Sequence, residues 1–153
     1  MKPKLDKAGK KKYYQGIYKL KNPEKYIGDP NNVIYRSGLE KRWYKYVDEN
    51  PDIVKFASEE MYVPYISPVD GRMHRYFIDM MIETINGEKF AIEIKPESQT
   101  KEPKKPSRQT KRYITEAITY QVNLAKWDAA TKFCQSKGMK FIIITDKMLP
   151  KVL

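Results

Sequence analysis

The chain has 153 residues, of which 41% are hydrophobic and 32% charged, so it is long enough for one globular domain and too apolar for a disordered protein. Thirty Lys and Arg against nineteen Asp and Glu give a formal net charge of +11, which favours a polyanionic partner such as nucleic acid. One cysteine and one histidine exclude an internal disulfide and a zinc site built from Cys and His, so we expect oxygen ligands for any metal.

The N-terminal segment is basic and polar. Residues 1–12 contain six lysines and one acid, and no apolar stretch follows them, so we expect neither a secretory signal nor a membrane anchor. No apolar run elsewhere approaches the roughly 18 residues of a membrane span. Pro, Gly and Asn then recur as far as residue 36. We therefore expect a basic tail and irregular arm at 1–36 and a folded core at 37–153.

The first helix is predicted to begin at Ser37. Ser37 and Glu40 form the S-x-x-E pattern of a capping box, and "ENPD" at residues 49–52 ends the run. Apolar side chains recur at helical spacing in between, so one side of this helix is expected to face the core. They are Leu39, Trp43, Tyr46 and Val47.

Short β-type segments follow this helix. They cover residues 53–57, 61–66, 72–83 and 89–95, and the pair Asn86-Gly87 predicts a hairpin between the last two. Alternation places Glu93 and Lys95 on one face of the last strand and Ile92 and Ile94 on the other. Asp79 is then the one acid within the otherwise apolar stretch at residues 76–82.

A polar segment separates the strands from a second helix. Residues 97–112 contain six Lys or Arg, two acids and two prolines, which predicts a long basic loop. Residues 115–137 then have helical periodicity that Gly138 ends, and residues 139–145 are predicted to form a fully buried strand. The predicted apolar stripe of the helix consists of Ile114, Ile118, Val122, Ala125, Ala129 and Phe133. The chain is therefore expected to be α/β, in the order helix, three strands, helix, strand.

Three acids and one lysine need a common explanation. Glu40 lies beside an apolar stripe, Asp79 in a buried strand, and Glu93 with Lys95 on the neighbouring strand. Carboxylates gathered in a core repel one another and lose hydration unless a cation or protons neutralise them. Mg²⁺ or Mn²⁺ suits such oxygen ligands, and an adjacent lysine stabilises developing negative charge, so the set is typical of phosphodiester hydrolysis.

Each residue also has a purely structural interpretation. Glu40 fits the role of the capping-box acid, and Asp79 fits a buried ion pair with Arg36 or Arg75. The pattern Glu-x-Lys also occurs at residues 102–104, inside the predicted loop. Only the predicted strand around Glu93 and Lys95 distinguishes that copy of the pattern from the one in the loop.

Together these features resemble the PD-(D/E)XK, restriction-endonuclease-like superfamily over residues 37–146. Asp79 matches the aspartate of the motif, Glu93 its acidic residue and Lys95 its lysine, while Ile78 stands where many members have proline. The resemblance implies a mixed sheet in helix-strand-strand-strand-helix-strand order. It also implies catalysis with Mg²⁺ or Mn²⁺, held by Asp79 and Glu93 with Glu40.

A wider pattern is similar to the head-completion nucleases of contractile-tailed phages and, more distantly, to the endonuclease subunit of heteromeric bacterial transposases. It is carried by "YYQG", "NPEKY", "RSGLE", "SEE" and "EIKPE". The resemblance implies a nuclease for double-stranded DNA, including DNA ends, with head, portal or neck proteins as partners. It places the protein in the host cytoplasm and the virion, and it leaves the oligomeric state open.

Basic and aromatic residues around the motif are expected to contact DNA. "HRYFID" brings His74, Arg75 and Tyr76 towards Asp79, and the basic loop leaves directly from the catalytic strand. The expected DNA-binding set is Arg36, His74, Arg75, Tyr76, Lys101, Lys104, Lys105, Arg108, Lys111 and Arg112, with Gln121 as an accessory residue. The competing class is a non-catalytic basic protein that binds DNA or the capsid in the head or neck.

Overall fold

The computed structural model describes residues 16–59 and 61–148, so the predicted tail at residues 1–12 lies outside the described residues. In chain order the elements are β1 (Gly16–Ile17), a 3₁₀ turn (Pro23–Lys25), β2 (Ile34–Tyr35), α1 (Gly38–Glu49), β3 (Ile53–Ser58), β4 (Tyr62–Ile66), β5 (Met73–Phe77), β6 (Met80–Thr84), β7 (Lys89–Lys95), a second 3₁₀ turn (Glu97–Thr100), α2 (Lys111–Ser136) and β8 (Lys140–Thr145). Within the described residues, no helix is apolar enough over a sufficient length to span a membrane.

A four-stranded sheet in the order β3-β6-β7-β8 forms the centre of the fold. β6 runs antiparallel to β3 and β7, while β7 and β8 are parallel because α2 carries the chain back across the sheet. β4 and β5 form a separate antiparallel hairpin. The predicted α/β class, mixed sheet and order of core elements are confirmed.

The sheet separates two hydrophobic clusters. Ile92 and Ile94 face the cluster that contains the apolar side of α1, while Ala91 faces the cluster that contains α2. Successive strand residues point to opposite faces, so Glu93 lies on the α2 side, as the alternation predicts. The Asn86-Gly87 turn is also confirmed, since β6 pairs with β7 across it and Gly87 has φ +82°.

α1 begins as the capping box predicts. The Ser37 hydroxyl accepts a hydrogen bond from the Glu40 amide at 3.0 Å, and Trp43 and Val47 are buried. The structure adds Asp48, whose side chain is fully buried. The sequence gives no reason to expect an acid in the core one residue before the exposed end of the helix.

The N-terminal arm packs against α1. Tyr18, Val33 and Tyr35 belong to the same hydrophobic cluster as α1, and the Lys25 ammonium donates to the Val47 carbonyl at 2.8 Å. That bond caps the last turn of the helix, where carbonyl groups lack partners within the helix. The division of the chain at residue 36 stays a prediction.

Asp48 holds the arm in place. Its carboxylate accepts hydrogen bonds from the backbone amides of Lys21, at 2.7 Å, and Asn22, at 3.0 Å, and a longer one from the Tyr18 hydroxyl at 3.4 Å. A buried carboxylate with several donors is satisfied without a counterion in contact with it. Asp48 is therefore a structural acid.

The predicted single strand over residues 72–83 is wrong, because the chain bends at Ile78 and Asp79 between β5 and β6. β5 pairs with β4, whereas β6 pairs with β3 and β7, so the chain passes from one sheet to another at the bend. Apolar alternation does not reveal this change. Tyr76 and Met80 are both buried, but they belong to different clusters.

Two further predictions about burial are wrong in part. β8 is only partly buried, because it is an edge strand of the sheet. The predicted stripe of α2 holds in its second half, where Val122, Ala125, Ala129 and Phe133 pack partly buried against the core, but Ile114 and Ile118 are 41% and 48% exposed. The buried positions of α2 are Asn123, Trp127, Ala130 and Cys134.

Candidate active site

Asp79 occupies the bend between the hairpin and the central sheet. Its carboxylate accepts a hydrogen bond from the Ile94 amide at 2.8 Å, and its carbonyl accepts one from the Glu59 amide at 3.2 Å. The Ile78 amide donates to the Met61 carbonyl at 3.0 Å. A proline at position 78 would lack this donor, so isoleucine allows an additional bond at the base of the hairpin.

Glu93 and Lys95 lie on β7, on the α2 face of the sheet. Glu93 is only 5% exposed, and one of its carboxylate oxygens accepts a short hydrogen bond from the Tyr76 hydroxyl. The other oxygen lies 3.4 Å from the Lys95 ammonium, whose side chain is 29% exposed. Lys95 thus reaches from the buried carboxylate towards solvent.

Glu40 joins this group from the first turn of α1. Its side chain is 7% exposed, and its carboxylate accepts a hydrogen bond from the Arg36 amide at 2.7 Å. Its negative charge also acts on Asp79 and raises the pKa of that carboxyl. Glu40 is therefore both part of the helix cap and a neighbour of Asp79.

The electrostatics of the acids show that negative charge is poorly accommodated here. Burial raises the pKa of Asp79 to about 8, the charge of Glu93 adds to the rise, and the Ile94 amide and Lys95 offset part of it. Burial also raises the pKa of Glu40. Burial and the charge of Glu93 raise the pKa of Tyr76, which keeps its hydroxyl protonated as a donor.

These donors suit a hard divalent cation. Between residues 16 and 148, leaving out residue 60, no three His, Cys, Asp or Glu side chains are arranged to hold a metal ion as they stand. Mg²⁺ binds through one or two carboxylates and retains water or phosphate oxygens, so Asp79 and Glu93 are sufficient in number. A cation would also relieve the repulsion that raises the pKa of Asp79.

Glu59 is a neighbour of the site that the sequence does not single out. Its φ of +55° is unusual for a residue with a side chain, and its carboxylate forms a short ion pair with Arg36. Its charge raises the pKa of Glu40. The signal in the sequence that points to it is the "SEE" segment, one of the patterns behind the resemblance to the phage nucleases.

Arg36 and the basic residues of the "HRYFID" segment contact partners other than Asp79. Arg36 pairs with Glu59 and Arg75 lies over the ring of Tyr62, so neither forms the ion pair with Asp79 that the structural interpretation requires. His74 is exposed and contacts Asp70 at 2.8 Å.

Tyr76 is expected from the sequence to contact DNA, but it is buried, with only 4% of its surface exposed, so its ring is not accessible for stacking. Its hydroxyl instead contacts Glu93. The ammonium of Lys126, on α2, lies 5.5 Å from the centroid of the Tyr76 ring. The sequence does not predict this contact between Lys126 and Tyr76.

The basic loop is exposed, as the sequence predicts. Its basic side chains, Lys101, Lys104, Lys105, Arg108, Lys111 and Arg112, all face solvent. Between this loop and the first half of α2 lies a groove of about 490 Å³, to which Lys101, Arg112 and the buried Asn123 contribute. Gln121 is exposed and does not line the groove. Contact of these residues with DNA stays a prediction.

Comparison with known proteins identifies the family. The model of the TnsA-like endonuclease N-terminal domain matches residues 50–146, which include the bend, the hairpin and β7. The chain belongs to the TnsA-like endonuclease family. The head completion nuclease of Enterobacteria phage T4 is 39% identical over 137 residues, which cover 87% of this chain and 91% of that protein. The restriction-endonuclease-like family and the likeness to phage head-completion nucleases, both expected from the sequence, are confirmed.

Membership of the TnsA-like endonuclease family agrees with the geometry. The matched range contains Asp79, Glu93 and Lys95, while Glu40 on α1 precedes it. The strand acids and the lysine therefore belong to the common domain.

Proposed function

We propose that this protein is a metal-dependent DNA endonuclease that hydrolyses phosphodiester bonds during phage head completion. The observation that carries the proposal is the pairing of partly buried Asp79, whose pKa is raised to about 8, with buried Glu93, which contacts the ammonium of Lys95. Two carboxylates this close destabilise the fold unless a cation or a proton neutralises them. The family and the 39% identical head completion nuclease support the same activity.

Asp79 and Glu93 would hold Mg²⁺ or Mn²⁺, and Glu40 would support a second ion or its water shell. The ion supplies polarisation of the phosphate and a lower pKa for bound water. Lys95 orients the attacking water and stabilises the negative charge that develops on the phosphate oxygens. Tyr76, as donor to Glu93, fixes the direction of that carboxylate.

The substrate is proposed to be double-stranded DNA, including DNA ends. The net charge of +11 supports binding to a polyanion, and the basic loop begins directly after the strand that carries Lys95. The proposed contacts are the exposed lysines and arginines of that loop together with His74, Arg75 and Arg36. Head, portal or neck proteins are the proposed partners, and the host cytoplasm and the virion the proposed locations.

Plasmid cleavage tests the catalytic proposal. Supercoiled plasmid is incubated with wild-type protein, Asp79→Asn or Lys95→Ala, in Mg²⁺, in Mn²⁺ and in EDTA. Asp128→Asn and Lys132→Ala are matched controls, since these residues form an exposed ion pair on α2. We expect cleavage by wild type and controls with metal only, and a loss of at least about a hundredfold in the two site variants.

Two results would reject the catalytic proposal. One is cleavage that persists unchanged in Asp79→Asn and Lys95→Ala, which would indicate a contaminating nuclease. The other is DNA binding without cleavage by wild-type protein under all metal conditions. That second outcome would favour the competing class, a basic structural protein of the head or neck.

A further inference from the structure

The β4–β5 hairpin has one buried and one exposed face. Val63, Tyr65 and Tyr76 point inward and pack in the cluster that contains α2. The opposite side, which we call the hairpin face, consists of Tyr62, Pro64, Ile66, Met73, Arg75 and Phe77. Tyr62 is 45% exposed and Phe77 50%, although aromatic side chains usually bury most of their surface.

Tyr62 and Phe77 are arranged as a platform with a cation beside it. They are direct partners across the two strands, with ring centroids 5.7 Å apart and planes tilted by 49°. The Arg75 guanidinium lies 5.0 Å from the centre of the Tyr62 ring. Exposed rings next to arginine are typical of surfaces on which the bases of a single strand stack.

The platform adjoins the proposed catalytic site. Phe77 precedes Asp79 by two residues, so their Cα atoms are at most about 7 Å apart. Hydrogen bonds from the Ile78 amide to Met61 and from the Glu59 amide to Asp79 fix the base of the hairpin to the bend. The backbone of the platform therefore lies next to the backbone of Asp79.

The charge of the protein selects among occupants of the hairpin face. A second copy would bring two chains of net charge +11 together, which opposes association, whereas a DNA strand is attracted. The hairpin itself carries Arg72 and Arg75, and its only acid, Asp70, contacts His74. Inside a duplex the base faces are already stacked and a blunt end exposes only one face of its last base pair, whereas an unpaired strand offers its bases individually.

We propose that the hairpin face stacks an unpaired base of a DNA strand beside the catalytic site, so that ends with a single-stranded overhang are preferred over blunt ends. This proposal rests on the proposed function, because it assigns the substrate class of the same site. It adds a specificity-determining pair, Tyr62 and Phe77, that takes no part in binding the metal.

Binding without metal tests the proposal separately from cleavage. Fluorescein-labelled duplexes with a blunt end or a five-nucleotide overhang are titrated in EDTA at one fixed salt concentration with wild type, Phe77→Leu and Phe77→Trp. Leucine keeps apolar bulk and removes the ring, whereas tryptophan keeps a ring. Ile118→Ala is a control for loss of an exposed apolar side chain, since Ile118 is 48% exposed on α2.

We expect Phe77→Leu to bind the overhang roughly tenfold more weakly, or worse, and the blunt duplex within about twofold of wild type. Phe77→Trp and Ile118→Ala should bind both duplexes like wild type, and the fluorescence of the Phe77→Trp variant should be quenched only by the overhang. Overhang binding unchanged in Phe77→Leu would overturn the proposal, as would an equal loss on both duplexes.

Sedimentation of the same variants measures their oligomeric state and tests whether a second copy of the chain covers the hairpin face. A wild-type dimer that dissociates in Phe77→Leu would identify the hairpin face as a contact between copies, which overturns the base-stacking proposal. If overhang selectivity depends on Phe77 but wild-type protein cleaves no plasmid, the proposed function fails and the binding site remains. If cleavage occurs without selectivity for overhangs, only the binding site fails.

Discussion

Asp48, which is fully buried, and Asp79, which is partly buried, are two acids in very different surroundings. Asp48 accepts hydrogen bonds from two backbone amides and a tyrosine hydroxyl, and it joins the N-terminal arm to α1. Asp79 accepts one backbone amide, lies near Glu93 and Glu40, and has its pKa raised to about 8. The comparison teaches that a fully buried acid can be purely structural, whereas an acid with few donors beside other acids is the better candidate for function.

The largest expected effect is on catalysis by Asp79→Asn. The amide can still accept the hydrogen bond of the Ile94 amide but carries no charge for a cation, so cleavage should fall by at least about a hundredfold. Asp48→Asn should retain cleavage at temperatures where it is folded. Single-turnover rates on labelled duplex DNA measure both, and equal rates for the two variants would contradict the distinction.

The next effect is on folding by Asp48→Asn. The amide replaces one acceptor oxygen by a donor that faces the N–H of Lys21 or Asn22, and the free energy of unfolding should fall by about 2–4 kcal/mol. Urea denaturation followed by circular dichroism measures the change. A loss below about 0.5 kcal/mol would mean that the arm does not depend on this carboxylate.

Asp79→Asn should have the opposite effect on folding in the absence of metal. The pKa of Asp79 is about 8 in the folded state and about 3.9 in the unfolded state, so between these pH values the side chain keeps its proton only when the protein is folded. The free energy of unfolding therefore falls as the pH rises from about 4 to about 8. Removing the charge should flatten this dependence and raise stability by more than about 1 kcal/mol at pH 8. Thermal melts in EDTA at pH 5 and pH 8 test the sign, and a wild-type melting temperature that rises with pH while the variant's does not would refute it.

The smallest effect is expected at the ion pair of Arg36 and Glu59. Both side chains are about a third or more exposed, so Arg36→Ala should change the free energy of unfolding by less than about 1 kcal/mol. Lys132→Ala is the matched control, since it also breaks an exposed ion pair. A loss well above that of the control would show that the pair is needed to hold Glu59 in its positive-φ conformation.

Much of the fold was predictable because its signals are local. Ser37 and Glu40 mark the start of α1, Asn86-Gly87 fixes the hairpin between β6 and β7, and alternation assigns Glu93 and Lys95 to one face. These features depend on neighbours within a few residues. The order of elements in the mixed sheet follows from them together with the resemblance to the restriction-endonuclease-like superfamily.

The remainder depends on contacts between distant segments, which a single sequence does not encode in a periodic pattern. Asp48 is buried because the arm folds over it, and the strand over residues 72–83 divides because β5 finds its partner in β4. Tyr76 meets Glu93 across 17 positions of the chain. Glu59 enters the site through a positive φ that no residue type demands.

Mn²⁺ binding tests the central claim most directly, that Asp79 and Glu93 form a cation site. Calorimetric titration of Mn²⁺ at pH 7.5 should show binding to wild-type protein and to Asp48→Asn with release of a proton, because the cation displaces it from Asp79. Asp79→Asn should bind at least about tenfold more weakly and release no proton. Equal affinity for wild type and Asp79→Asn, or no binding by wild type at millimolar Mn²⁺, would contradict the account.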